Sequence, residues 1–168
     1  MAELDSLEAA AKRTGMYVYE GFMIRHHPQW HWLANAPIGK AQAIQVAFAY
    51  PTLSDDNIRN VAEWGGGPVY DIGCYAIIAG ILIFGGGPQS IDVKMVMDPK
   101  HKVENFASGL LVWPDERHLL FSVSSSSSLT QGVHVIGTEG AARLEVPFNP
   151  VGPTRGFLLS GALGEGKI

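Results

Sequence analysis

Asp71 and Tyr75 are the side chains whose types and spacing best suit acid–base chemistry in this sequence. They follow the run Gly65-Gly66-Gly67-Pro68. Glycine lets a turn lie close to a ligand or another backbone, and proline is well tolerated at the first position of a helix. Residues four apart share one helical face, so the pattern predicts a carboxylate and a phenol side by side in the first turns of a helix. An acid that only interacts favourably with the helix dipole fits the same spacing.

Three further segments occur in order around this run. They are Glu20-Gly21-Phe22-Met23-Ile24-Arg25-His26-His27-Pro28-Gln29-Trp30 and Asp56-Asn57-Ile58-Arg59 upstream, and Gly137-Thr138-Glu139-Gly140 downstream. The ordered set resembles the second domain of the glucose–fructose oxidoreductase / inositol dehydrogenase / MocA family, and most of all its dihydrodiol, xylose and glucose–fructose branch. The similarity covers roughly Leu4 to Pro150. The resemblance implies a domain of an NAD(P)-dependent oxidoreductase that acts on sugars, polyols or dihydrodiol-like compounds.

The resemblance also implies a set of site residues. It places Asp71 and Tyr75 in the substrate pocket as the catalytic pair, with Tyr75 as the general acid–base for the substrate hydroxyl. A free phenol titrates near pH ~10, so this role requires a nearby cation that lowers the pKa. Four further residues are candidates for substrate binding: Arg25, His27, Arg59 and Trp64. Arg25 and His27 match positions that border the cofactor or substrate in relatives, and Arg59 resembles an arginine at the pocket edge of relatives. Trp64 is suited to form a wall of a sugar pocket. Ion pairs of the arginines and anchoring of the loop by the tryptophan are alternative interpretations.

Parts of the family pattern are missing from these residues. Relatives carry a Rossmann domain with a Gly-rich phosphate turn and a Glu-Lys-Pro motif that holds a catalytic lysine. Neither G-x-G-x-x-G after a first strand nor Glu-Lys-Pro occurs here. We therefore expect this chain alone to bind no cofactor, although the family uses NAD or NADP, and to be inactive unless a separate Rossmann-domain chain supplies one. The alternative is a non-enzymatic remnant that forms a homo-oligomeric module for binding a small molecule or sugar.

The chain divides into three parts by pattern. Residues 1–20 are predicted to be the remnant of the last Rossmann helix and strand, with a helix ended by Gly15 and a strand over Met16–Glu20. Residues 21–150 are predicted to form the family's C-terminal domain, and residues 151–168 a tail outside the family pattern.

Within residues 21–150, apolar periodicity predicts two helices, Pro28–Ala36 and Val69–Phe84, and six strands. The strands are Lys40–Tyr50, Ser90–Met97, Phe106–Trp113, His118–Ser125, Gln131–Ile136 and Ala141–Val146. Short turns between the later strands favour antiparallel pairing. The prediction is an α+β fold with a mostly antiparallel sheet, helices packed on one face, and the other face available for a homodimer.

Composition excludes several functions. A net charge of −4 without a basic cluster argues against a nucleic-acid partner. No secretory signal is evident, and the apolar window Ile72–Phe84 is shorter than the ~20 residues that cross a bilayer. His27 and His31 are four apart, but Pro28 intervenes and no carboxylate or cysteine is spaced to complete a metal site. With Cys74 as the only cysteine, we expect a cytoplasmic protein without metal or membrane contact.

Overall fold

A mixed sheet of seven strands forms the centre of the structure, a computed structural model that describes residues 2–160. The strands are β1 Ala41–Ala49, β2 Ser90–Met97, β3 Glu104–Val112, β4 His118–Ser124, β5 Thr130–Gly137, β6 Gly140–Leu144 and β7 Gly156–Ser160. Their order across the sheet is β2-β3-β4-β1-β5-β6-β7. Among the described strands, only the central β1–β4 pair is parallel, and the other neighbours are antiparallel. The α+β prediction with a largely antiparallel sheet is confirmed.

One face of the sheet is covered by helices. These are α2 (Pro28–Ala34) and α3 (Cys74–Phe84), and α3 continues from a π-helical turn over Val69–Gly73. Alternate residues of β1 are buried beneath them, as its apolar alternation predicted: Ile44, Val46 and Phe48. The opposite face carries exposed side chains such as Leu120, and none of the described helices covers it, as predicted.

The start of the chain departs from the prediction. Helix α1 (Ala2–Thr14) forms as expected and is followed by Gly15 at φ +68°. The segment Met16–Glu20, predicted as a strand, has no ladder partner within residues 2–160 and is exposed along its length. That prediction is wrong because strand-forming residues become a strand only where another strand satisfies their backbone groups.

The segment 151–168 was expected to be a tail, yet part of it joins the sheet. Strand β7 pairs antiparallel with β6, so that Phe157 lies opposite Arg143 and stacks beneath its guanidinium, 4.8 Å from Cζ to the ring centroid. Residues 161–168 lie outside the described part of the chain.

Within the described residues, one helical stretch, 62–84, is long and apolar enough to cross a membrane by length and composition. It is not one continuous α-helix, because Gly65 at φ +73° interrupts it before the π-helical turn. The inner side of α3 belongs to the core. A Cβ added to Gly80 would lie 2.8 Å from Cζ2 of Trp113, so only glycine allows this approach.

Candidate functional site

Three of the six predicted site residues line one cleft on the helix-covered side of the sheet: Arg59, Asp71 and Tyr75. The cleft measures about 340 Å³ and lies where the end of β1, the loop after it and the π-helical turn meet. Tyr50 and Asn149 add polar groups. The apolar walls are Phe48, Leu53, Ile72 and Leu129.

Arg59 and Asp71 form an ion pair inside the cleft. Arg59 Nε donates to Asp71 Oδ2 over 2.7 Å, and the carboxylate raises the pKa of the arginine above its ordinary value. The backbone N–H of Arg59 donates to Asn57 Oδ1 over 3.1 Å, which orders the short 3₁₀ turn Ile58–Asn60 that carries the arginine. The predicted loop salt bridge of Arg59 is therefore present, and its partner is the proposed catalytic carboxylate.

The loop that carries Arg59 is also anchored at its other end. Asp55 pairs with Lys100, and Asp55 Oδ1 lies 3.0 Å from Nε2 of His101. Lys100 and then His101 lower the pKa of the Asp55 carboxyl. This anchor joins the loop to the turn between β2 and β3.

The glycine run makes a close approach between parts of the chain itself. Gly67 has φ +101°, and its N–H donates to the carbonyl of Arg59 over 2.8 Å. A Cβ on Gly67 would overlap the carboxylate of Glu104. Glu104 Oε1 accepts the N–H of Val69 over 3.0 Å, at the start of the turn that carries Asp71. A helix start can bind an anion through its free N–H groups. Here the carboxylate of Glu104 occupies that position.

Tyr75 is held by aromatic packing. Its ring centroid lies 5.3, 5.7 and 5.4 Å from those of Phe22, Phe48 and Phe148. Burial raises the pKa of the Tyr75 hydroxyl, and the neighbouring Cys74 and Asp71 raise it further. The phenol is consequently protonated at neutral pH and has an O–H group that can donate a hydrogen bond to a ligand.

Tyr50 belongs to the cleft but was missing from the sequence-based site. Its hydroxyl is buried and has no hydrogen bond of acceptable geometry to the described residues, although Asp71 lies near enough to act on it. Burial raises the pKa of this phenol first, and Asp71 raises it further. The signal was the alternation Ile44, Val46, Phe48, Tyr50, which put Tyr50 on the inner face at the end of the strand.

The other three predicted site residues lie outside this cleft. Arg25 is exposed on the 3₁₀ turn Met23–His26. His27 precedes α2, where Nδ1 accepts the N–H of Gln29 over 3.3 Å, and it lines a smaller adjacent cavity of about 140 Å³. Trp64 is 70% exposed. The two cavities meet at Asn149, which lines both.

The cleft offers a defined set of polar groups. Asp71 accepts hydrogen bonds, Arg59 and Tyr75 donate them, and aromatic and aliphatic side chains form the walls. Such a set matches a small molecule with several hydroxyl groups and apolar C–H faces. In the part of the chain that the structure describes, no three His, Cys, Asp or Glu side chains group as metal ligands.

Comparison with known proteins identifies relatives of this chain. The sequence profile of the GFO/IDH/MocA C-terminal domain matches residues 30–143. An uncharacterized oxidoreductase of Rhizobium meliloti, ORF334, is 35% identical over 152 residues, which cover 88% of this chain and 46% of that protein. A trans-1,2-dihydrobenzene-1,2-diol dehydrogenase of Macaca fascicularis is 28% identical over 87% of this chain and 45% of its own length.

A solved structure shares the fold. The 3-ketoreductase KijD10 of Actinomadura kijaniata, in complex with NADP and TDP-benzene, superimposes with a TM-score of 0.74 at 24% identity over 93% of this chain and 53% of that protein. The present chain spans about half the length of the curated relatives it matches.

Proposed function

Since this chain belongs to the GFO/IDH/MocA family through its C-terminal domain, we propose that it is the substrate-binding and oligomerisation domain of an NAD(P)-dependent oxidoreductase. The substrate class is a sugar, a polyol or a dihydrodiol-like compound. One observation carries the proposal: Arg59, Asp71 and Tyr75 meet in a single cleft of substrate size within this domain. The names of the relatives, a dihydrodiol dehydrogenase and a 3-ketoreductase, support the substrate class.

Asp71 and Tyr75 would hold the reacting hydroxyl from two sides. The carboxylate accepts the hydrogen bond of a substrate hydroxyl, and the protonated Tyr75 donates one to a substrate oxygen. Arg59 orients the carboxylate through its 2.7 Å contact, which leaves Asp71 Oδ1 for the ligand. Tyr75 alone is a weak base. Among the described residues no cationic side chain contacts its hydroxyl, and burial raises the pKa of this group.

The described residues do not fit a dinucleotide. Pyrophosphate binding requires free backbone N–H groups at a Gly-rich turn and helix start. At the turn 65–67 the position is taken by Glu104. We propose that the cofactor and a lysine that acts on Tyr75 come from a Rossmann domain, and that residues 1–168 alone do not transfer hydride. The exposed segment Met16–Glu20, which has no ladder partner among the described residues, is the surface we assign to that domain.

The uncovered sheet face is our proposed dimer interface. At its centre Gln45, Leu120, His134 and Arg143 surround a depression of about 430 Å³. Leu120 is exposed there, and burial of such a face against a second copy removes apolar surface from water. Leu120→Arg should halve the molar mass in solution at micromolar concentration. An unchanged mass would contradict this interface.

Substrate binding is tested with two matched phenols. Tyr75 in α3 lines the cleft, whereas Tyr70 in the preceding π-helical turn is 77% exposed. Calorimetric titration with myo-inositol, D-xylose and a trans-dihydrodiol should give binding for at least one compound. Tyr75→Phe should weaken it roughly 5- to 30-fold, the effect of ~1–2 kcal/mol for a lost hydrogen bond. Tyr70→Phe should leave it within about twofold. Equal losses in both variants would place the ligand elsewhere.

The cofactor proposal has its own test. Titration of the purified chain with NAD⁺ and NADP⁺ should show no micromolar binding. Addition of a Rossmann-domain chain should restore oxidation of the bound compound, and Tyr75→Phe should abolish it. Substrate binding that never leads to turnover with any such chain would favour a non-enzymatic binding module.

A further inference from the structure

Strand β2 lies at one edge of the sheet with nothing described beside it. Its eight residues include large apolar side chains that remain exposed, among them Ile91 at 62% and Met95 at 56%. An exposed edge strand of this length is a template for pairing with another strand. Natural edges are often protected by charge, and β2 carries two charged residues, Asp92 and Lys94, whose side chains pair 3.3 Å apart along the strand. Their spacing decides which partner this edge accepts.

The hydrogen-bond pattern of the sheet shows which β2 residues have free backbone groups. Ser125 directly follows β4, and its N–H donates to the carbonyl of Asn105 in β3 over 3.0 Å. Backbone groups alternate in direction along a strand, so odd-numbered β3 residues bond to β4 and even-numbered ones to β2. Because Lys94 lies opposite Ser108, the even-numbered β2 residues are the ones that bond to β3. The outward N–H and C=O groups of β2 therefore belong to Ile91, Val93 and Met95.

We propose that β2 pairs with β2 of a second copy of this chain, antiparallel about a two-fold axis at Val93. In this register Val93 faces its own copy, and Ile91 faces Met95. Each facing pair exchanges two hydrogen bonds, so three pairs give about six across the interface. The pairing extends the sheet into the second molecule.

Charge selects this register over its neighbours. The outward N–H and C=O groups of the two copies meet only in registers that place odd-numbered residues opposite odd-numbered residues. With the axis at Val93, Asp92 of each copy lies opposite Lys94 of the other, in positions where side chains are closest. A shift of the axis by one residue toward either end puts Lys94 opposite Lys94 or Asp92 opposite Asp92. Opposite charges two residues apart thus make the edge complementary to itself.

The first experiment measures molar mass by light scattering over a concentration series of the full chain. Pairing of β2 edges joins two of the assemblies that form through the open sheet face, so it doubles their molar mass. Asp92→Lys and Lys94→Asp each place like charges in contact, so each variant alone should show half the wild-type mass. An equimolar mixture of the two variants should recover the wild-type mass, because each supplies the charge that the other lacks. Wild-type mass in either variant alone, or no recovery in the mixture, would overturn the proposal.

A second experiment reads the register and does not depend on substrate binding. In a Cys74→Ala background, Val93→Cys should form an intermolecular disulfide, since facing residues of a hydrogen-bonded pair have Cα atoms about 5.5 Å apart. Ile91→Cys is the control. Its copy lies four residues away along the strand, about 13 Å, which no disulfide spans. A disulfide at position 91 but not at 93, or at neither position, would contradict the pairing.

Discussion

Removal of the Glu104 carboxylate should loosen the turn that positions Asp71. Glu104 Oε1 accepts the Val69 N–H over 3.0 Å at the start of the π-helical turn. A hydrogen bond to a charged group contributes about 1.5–3 kcal/mol, and interaction with the helix dipole adds about 0.3–1 kcal/mol. Glu104 is half-buried, so we take the lower part of this range, ~2 kcal/mol, as the loss of unfolding free energy in Glu104→Ala.

The assay is thermal unfolding followed by circular dichroism. For a domain of this size 1 kcal/mol shifts Tm by roughly 2–4 °C, so Glu104→Ala should lower Tm by about 4–8 °C. Glu104→Gln keeps an oxygen acceptor of the same reach without the charge and should lose less than half as much. Substrate affinity should fall in the alanine variant as well, because Asp71 loses its support.

Formate provides the matched control for the role of the anion. It should raise the Tm of Glu104→Ala more than chloride does at equal ionic strength, since its carboxylate fits the position that the side chain vacates. In the wild type the two salts should act alike. An alanine variant that loses less than about 0.5 kcal/mol, or a glutamine variant as unstable as alanine, would refute the reasoning that this acceptor holds the turn.

Three further predictions concern stability. Gly80→Ala should lower the unfolding free energy by about 1–2 kcal/mol in urea titration, because a Cβ this close to the Trp113 ring costs about 2–3 kcal/mol, the upper part of the overpacking range, and the helix-propensity gain offsets only ~1 kcal/mol. Burial and then Arg143 lower the pKa of His134 in the folded chain. As the pH falls, this histidine therefore binds a proton in the unfolded chain before it does so in the folded chain. Stability should therefore fall as pH decreases below ~6.5, and less so in His134→Gln in the same denaturant titration. Tyr50→Phe removes a buried hydroxyl without a good partner and should leave Tm unchanged or higher in a thermal melt, whereas a marked loss would reveal a bond to Asp71.

Secondary structure within residues 21–150 was largely predictable from periodicity. The alternation around Ile44 located β1 and its buried face, and the predicted bounds of β2 match the structure. The parallel pairing of β1 with β4 was not foreseen, because the short turns of the later strands carry no information about a strand from much earlier in the chain. The strand prediction for Met16–Glu20 was wrong for the related reason that local propensity supplies no partner.

The site was half predictable. The spacing of Asp71 and Tyr75 placed both near the start of a helix, and the structure brings both into the same cleft. Arg59 was a candidate in the sequence, but its contact with Asp71 depends on how the loop folds back. Glu104 had no signal, because it is 35 residues from Val69 along the chain.

The sequence by itself determined what depends on near neighbours: which segments become helices and strands, which faces are apolar, and where the glycine turn lies. Periodicity and turn chemistry act over a few residues, so they can be read without a partner. Tertiary structure alone decided the position of β1 in the middle of the sheet, the occupation of the glycine turn by Glu104, the burial of the Tyr50 hydroxyl and the free edge of β2. Each of these depends on a contact between distant segments, and a single sequence carries no direct record of such contacts.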